Sequence, residues 1–179
     1  LCNNDIEAIR PGWLERMLEL AEQPGIGIVG AKLLYPDRQS IQHAGVCVGA
    51  YGAAEHYAKR MRFPGDPIEA GYADVLLQVN HEVAAVTAAC MLVRKDAFDA
   101  VAGFDETIAV GFGDVDLCLR ILGKGWRIVF CPYAKLVQHE SYTRGTTVAD
   151  PHPPDSALSR VTWTQFRADG DPYHNPGLS

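Results

Sequence analysis

The run Gly111-Phe112-Gly113-Asp114-Val115-Asp116-Leu117-Cys118-Leu119-Arg120 constrains this chain more than any other stretch. A glycine-rich turn passes directly into an apolar pattern. Val115, Cys118, Leu119 and Leu122 recur at i, i+3, i+4 and i+7, the spacing of one buried helix face. That spacing puts Asp114 at or near the helix N-terminus, its carboxylate directed away from the buried stripe. Asp116 and Arg120, at i and i+4, can pair along the polar side of the same helix. An aspartate in such a place is ordinarily a helix cap, so a chemical role needs support from elsewhere. Two other segments offer it. Asn3-Asn4-Asp5 closes an apolar start of chain, and Val137-Gln138-His139-Glu140-Ser141 closes an apolar run near the other end.

Length and charge exclude several classes. With 179 residues, 47% of them apolar, the chain has the material for about one domain with a full core. A net charge of −6 and the lack of a dense basic run argue against a nucleic-acid partner. No apolar stretch approaches the ~20 residues that a membrane span needs. The five cysteines, Cys2, Cys47, Cys90, Cys118 and Cys131, are scattered and form no C-x-x-C pair. They read as small core hydrophobes in a reducing cytoplasm rather than as a disulfide framework or a zinc knuckle.

Taken in order, Leu1 to Asp5 reads as a strand end with Asp5 at its carboxyl edge, where ligands bind in open α/β sheets. Pro11-Gly12-Trp13 opens an amphipathic helix that ends near Pro24-Gly25. Ile26 to Tyr35 reads as a buried strand and Ile41 to Val48 as a second, with His43 inside it as a hydrogen-bonded structural histidine. Tyr51 to Ala73 lacks a period and is expected to be a loop over the site. Val75 to Val79, Val83 to Val93, Trp126 to Cys131 and Ala134 to Gln138 are expected strands. The small residues Ala84, Ala85, Ala88 and Ala89 would permit close backbone approach. Arg94 to Val101 is expected to be a short helix. Beyond Thr146 the prolines leave room for one helix around Ser156 to Ala168. The expected division is therefore a body at 1–145 and a Pro-rich tail at 146–179 packed on it.

The pieces Asn3-Asn4-Asp5, Ala31-Lys32-Leu33-Leu34-Tyr35-Pro36, Gln42-His43-Ala44-Gly45, Thr87-Ala88-Ala89-Cys90, Gly103-Phe104-Asp105-Glu106, Gly113-Asp114-Val115-Asp116 and His139-Glu140-Ser141 resemble, in that order, the family 2 glycosyltransferases, inverting enzymes of the GT-A fold. The resemblance implies an α/β fold, a mixed and mostly parallel sheet flanked by helices. It also implies that an N-terminal βαβ half, which holds most of the nucleotide site, precedes what is seen here. Asp5 would be the last acid of the D-x-D motif that binds the metal on the donor diphosphate. Asn3 stands where that motif has its first acid and adds no charge, so Asn3 and Asn4 would contact the donor while metal affinity rests more on Asp5.

The implied chemistry is sugar transfer from a nucleotide-sugar donor to a glycan or lipid-linked acceptor, a hexosyltransferase type of reaction in cell-surface polysaccharide synthesis. Asp114 is the candidate base that takes the acceptor proton. One base with no protein nucleophile predicts inversion. Asp5 and His139 would ligate Mn²⁺ or Mg²⁺ with donor phosphates and water completing the shell, and Arg144 would reach the same phosphates. Asp116 and Arg120 are expected to support Asp114, and Thr87 and Ala88 to lie under the sugar and acceptor. The expected setting is the cytoplasm, with peripheral contact at the inner membrane face. The rivals are a metal-dependent nucleotidyltransferase of related fold and a non-catalytic carbohydrate-binding relative. Whether this portion acts alone is left open.

Overall fold

Nine consecutive residues, Ile26–Leu34, form strand β2, and every one of them is buried. Burial on both faces explains the composition: Ile, Val and Leu fill space, and glycine stands where a neighbour leaves none. A Cβ at Gly27 would lie 2.9 Å from Trp126 Cβ, and one at Gly30 would lie 2.5 Å from Val86 Cβ. The computed structural model describes residues 1–49, 53–62, 75–108, 111–139 and 153–174. Within them β2 runs parallel to β8 (Arg127–Gln138), from Ile26↔Arg127 to Leu34↔Val137. The remaining pairings in this sheet are antiparallel. β3 (Ile41–His43) and β7 (Met91–Val93) share the outer edge of β2, while β1 (Ile6–Ala8) and β6 (His81–Glu82) share the outer edge of β8. The sheet is mixed and helices cover both faces, the expected α/β class, but among the described residues only the β2–β8 pairing is parallel where a mostly parallel sheet was expected.

Helix α1 (Trp13–Ala21) covers one face, sending Met17 and Leu20 against Ile26, Val29, Leu33 and Leu136. The opposite face is covered by α3 (Gly113–Leu122), which follows a five-residue helix α2 (Lys95–Asp99). Val115, Leu117, Cys118 and Ile121 of α3 pack with Ile28, Ile128 and Phe130. Each such side chain, fully buried, contributes about 1.5–3 kcal/mol of transfer free energy. The stripe read from the sequence is displaced here. Leu119 and Leu122 are only half-buried, Leu117 and Ile121 are fully buried, and Asp116 is buried too. More than one side of α3 is covered, so a single-face pattern understates its burial.

Five expected strands differ in detail. Ile41 to Val48 breaks at Gly45, whose φ of 101° only glycine adopts freely. Its second half, β4 (Val46–Val48), pairs instead with β5 (Ala54–His56) in a separate two-stranded sheet. Val75 to Val79 is a turn closed by the Gln78 N–H donating to the Val75 carbonyl at 2.9 Å, not a strand. Of Val83 to Val93 only β7 is regular, because the amides before it serve other partners, described below. Conversely, Trp126–Cys131 and Ala134–Gln138 merge into one strand. Its register against β2 jumps from Ala31↔Cys131 to Lys32↔Lys135. That bulge absorbs Pro132, which has no N–H for a regular ladder.

The C-terminal segment forms two helices, α4 (Pro153–Thr162) and α5 (Thr164–Asp169), where one was expected. Trp163 between them is 5% exposed and meets Phe112 edge to face, centroids 5.9 Å apart. The Gly111 N–H donates to Asp155 Oδ2 at 2.7 Å, and the Val48 N–H to Asp171 Oδ2 at 2.9 Å. The segment from Pro153 to His174 is thus tied to the turn before α3 and to β4.

Candidate active site

Asp114 is the second residue of α3, and its entry turn is unusual. Phe112, the residue that caps the helix, has φ 66°, a left-handed conformation that a bulky side chain seldom adopts. Trp163 packed on its ring and Asp155 holding the Gly111 amide fix that turn. Such a conformation persists only where the surroundings impose it, and it marks a candidate functional site. The result is a carboxylate with both oxygens placed. Oδ1 accepts from the Val115 N–H at 2.9 Å, and Oδ2 from the Ala88 N–H at 3.0 Å. The second of these bonds comes from outside the helix, so Asp114 is more than a local cap.

The segment that supplies it is an irregular turn whose three successive amides, Thr87 to Ala89, each meet a side-chain acceptor. The Thr87 N–H faces His43 Nε2 at 3.4 Å, the Ala88 N–H goes to Asp114, and the Ala89 N–H donates to Thr87 Oγ1 at 3.3 Å. The Ala89 carbonyl in turn accepts from the Asn3 N–H at 2.9 Å. Leu1 and Met91 exchange backbone hydrogen bonds just beyond, with Cys2 opposite Cys90. The turn from Thr87 to Cys90 therefore joins the segment of Leu1 to Asn3, which leads into Asp5, to the helix that carries Asp114. Burial pushes the Cys90 thiol up to about 12, which keeps it a neutral, unreactive neighbour.

Asp5 and His139 meet through backbone: the His139 N–H donates to the Asp5 carbonyl at 2.9 Å. His139 follows the carboxyl end of β8, the edge at which ligands sit in α/β sheets. Its Nε2 lies 2.8 Å from Glu7 Oε2, and Arg38 Nη2 lies 2.5 Å from Glu7 Oε1. The hydrogen bond from His139, then the charge of Arg38, hold the Glu7 carboxyl below its ordinary value. Asp5 Oδ1 is buried without a hydrogen-bond partner. Asn3 and Asn4 are exposed.

Among the described residues no group of three or more His, Cys, Asp or Glu forms a ready metal cluster. The donor set that is present still fits a hard divalent ion. A buried, unpartnered carboxylate oxygen costs free energy that a cation would offset. Glu7 on Nε2 of His139 leaves Nδ1 as the nitrogen that can ligate, with Glu7 in the orienting role carboxylates take behind metal-bound imidazoles. Arg144 lies outside the described residues.

Asp116 and Arg120 pair as the spacing predicts, Arg120 Nε at 2.7 Å from Asp116 Oδ2, but the pair is turned inward. Arg120 Nη1 also donates to the Val101 and Gly103 carbonyls, each at 2.8 Å. The pair binds α3 to the turn after α2.

Two features escaped the sequence reading. Glu7 lies on β1, two residues beyond Asp5, which sits in the turn before that strand, so alternation along a strand does not link the two. His56, which approaches His43 to 3.2 Å between Nδ1 atoms, lies in the stretch without a pattern, and no local signal marks it.

Residues 5–169 match the model of a family described as "Glycosyltransferase like family 2". Over 146 residues the chain is 46% identical to an uncharacterized protein, y4gI, of Sinorhizobium fredii, covering 81% of this chain and 15% of that one. It is 37% identical over 179 residues to the O-antigen biosynthesis protein RfbC of Myxococcus xanthus, covering 99% of this chain and 13% of RfbC. It is 28% identical over 137 residues to an N-acetylglucosaminyl-diphospho-decaprenol L-rhamnosyltransferase of Mycobacterium tuberculosis, covering 75% of this chain and 45% of that enzyme. The chain thus spans less than half the length of each of these relatives. No described helix is long and apolar enough to cross a membrane. With the family model matching from Asp5 through Asp169, the chain belongs to the glycosyltransferase-like family 2.

Proposed function

We propose that this chain is the catalytic portion of an inverting glycosyltransferase that moves a sugar from a nucleotide-diphosphate donor to a glycan or lipid-linked acceptor. The observation that carries the reading is Asp114: a carboxylate outside the hydrophobic core, oriented by an amide from the turn that also holds Asn3, two residues before Asp5. Each Asp114 oxygen accepts one backbone N–H and keeps a lone pair, so the group is aimed and remains able to accept a proton. In this role Asp114 removes the acceptor hydroxyl proton as that oxygen attacks the anomeric carbon. With one base and no protein nucleophile, displacement is single and the anomeric carbon inverts.

Asp5 and His139 are assigned to a Mn²⁺ or Mg²⁺ ion, which when bound neutralises the departing diphosphate. Asn3 and Asn4 then face the donor, and Arg144 is assigned to its phosphates on sequence grounds. Thr87 and Ala88 frame the floor between donor and base. The names of the Myxococcus and Mycobacterium relatives favour cell-surface polysaccharide synthesis as the setting, and the reading assigns the work to the cytoplasm at or near the inner membrane face.

The test uses the full-length protein with a panel of UDP-, GDP- and dTDP-sugars, with Mn²⁺ or with EDTA, following nucleoside diphosphate release. Metal-dependent release from one donor, with an inverted anomeric product, is expected. Consumption of a nucleoside triphosphate would support a nucleotidyltransferase instead, and sugar binding without turnover a carbohydrate-binding role.

A further inference from the structure

His43 is 1% exposed, and nothing in the proposed chemistry uses it. Its Nε2 faces two donors, the Gly45 N–H at 3.3 Å and the Thr87 N–H at 3.4 Å. A ring nitrogen that faces two N–H groups must present its lone pair, so a neutral His43 carries its proton on Nδ1. That proton points at His56 Nδ1, 3.2 Å away, with the two rings edge to face and centroids 4.9 Å apart.

His56 Nδ1 also lies 3.1 Å from the Gln42 carbonyl. If it donated there, two N–H groups would confront each other across the ring pair. The alternatives exclude one another: one satisfies the Gly45 and Thr87 amides, the other the Gln42 carbonyl. An orphaned buried N–H is rarer and costlier than an under-used carbonyl, which has two lone pairs, so the first arrangement is the consistent one. Burial, then the neighbouring imidazole, holds His43 well below its ordinary pKa, in keeping with a permanently neutral ring.

The consequence runs directly to Asp114. The residue after Thr87 is Ala88, whose amide holds Asp114 Oδ2. We infer that His43 is a positioning residue for the transfer reaction: its Nε2 lone pair fixes the Thr87 amide, so that the adjoining Ala88 amide is presented to Asp114, and His56 selects the tautomer that makes this possible. The inference rests on Asp114 being the base. It gives the Gln42-His43-Ala44-Gly45 segment a task in the site although that segment lies on a different strand.

His43→Gln and His43→Leu in the full-length protein test it. Gln places its Oε1 near the former Nε2 and still accepts from the two amides, whereas Leu cannot. His43→Leu is expected to lower kcat by about a hundredfold, the cost of a misplaced catalytic group, with donor KM unchanged; His43→Gln is expected to restore most of the loss. Hydrogen exchange of the peptide containing Thr87 to Ala89 is read by mass spectrometry in parallel. Its amides are expected to exchange about tenfold faster in His43→Leu and at the wild-type rate in His43→Gln. Equal kcat in both variants, a loss confined to KM, or unchanged exchange in His43→Leu would overturn the inference. If the wild type turns over no sugar donor, the glycosyltransferase reading fails, while the exchange rates still decide whether His43 holds this turn.

Discussion

The Ala88 amide donates to Oδ2 of Asp114 across 3.0 Å, a bond between residues 26 positions apart. Helix α3 alone holds that carboxylate only through the Val115 amide on Oδ1. The Ala88 bond makes its position depend on a turn that is itself held by Asn3 on one side and His43 on the other.

Asp116 is 8% exposed and pairs with a half-buried Arg120 that also grips two carbonyls. Asp116→Ala leaves that cation without its counter-charge. A loss of about 2–3 kcal/mol in unfolding free energy is expected, the range for hydrogen bonds to charged groups, measured by urea denaturation. A change under ~0.5 kcal/mol, typical of surface substitutions, would show that the pair is not structural.

Gly30 has no room for a side chain, because its added Cβ would stand 2.5 Å from Val86 Cβ. Gly30→Ala is expected to cost about 1–3 kcal/mol through overpacking. Since Val86 immediately precedes Thr87, the strain should also reach Asp114 and lower kcat. Val86→Ala in the same chain should recover part of both losses, since the two sites share one contact. Strictly additive losses in the double variant would contradict this.

Burial holds the imidazoles of both His43 and His56 below their ordinary value, His56 also feeling Lys59 against the opposing charges of Asp114 and Glu55. A lowered folded pKa means that the unfolded chain binds more protons in the window just below about 6.5. Stability should therefore fall as pH drops from about 6.5 towards the folded values, and these two groups should contribute no slope above that window. His43→Gln removes one of the two contributions, up to about 1.4 kcal/mol per pH unit for one proton. Urea titrations between about pH 7.5 and 5.5 should show a shallower decline for the variant than for the wild type. Parallel declines would mean that His43 charges in the folded protein.

The unpartnered Asp5 oxygen and the Glu7-backed His139 predict a Mn²⁺ site without requiring turnover. Asp5→Asn and His139→Ala should each weaken Mn²⁺ binding, read by calorimetry with nucleoside diphosphate present. Glu7→Gln should weaken it by about tenfold to a hundredfold, the usual cost of losing an orienting carboxylate. Unchanged Mn²⁺ affinity in Asp5→Asn would remove that residue from the site.

Much of the frame was legible before any coordinates. The run from Ile26 reads as a buried strand because a short apolar run rich in Ile, Val and Leu between glycines suits a sheet covered on both faces, and all nine residues are buried. The Gly-rich entry to α3 and the placing of Asp114 at its start followed from period alone. The turn of 87–90 did not. Its sequence suits a plain strand, and its departure depends on partners from 1–3, His43 and Asp114, which local propensity cannot register. Likewise Trp126 to Cys131 and Ala134 to Gln138 read as two strands, yet a bulge opposite Ala31 and Lys32 carries a single strand past Pro132. Asp116 read as a surface charge because helical spacing reports one face, while the turn at Val101 and Gly103 covers another.

Asp114→Asn keeps the shape of the residue and one acceptor oxygen for the Val115 and Ala88 amides, which now take two carboxylate oxygens, while removing the basic carboxylate. Steady-state transfer by the full-length variant, with donor KM and nucleoside diphosphate affinity measured beside it, tests the central claim most directly. A fall in kcat of about 10²–10⁴, the usual contribution of a general base, with both binding constants unchanged is the predicted result. Transfer at the wild-type rate by Asp114→Asn would contradict the account.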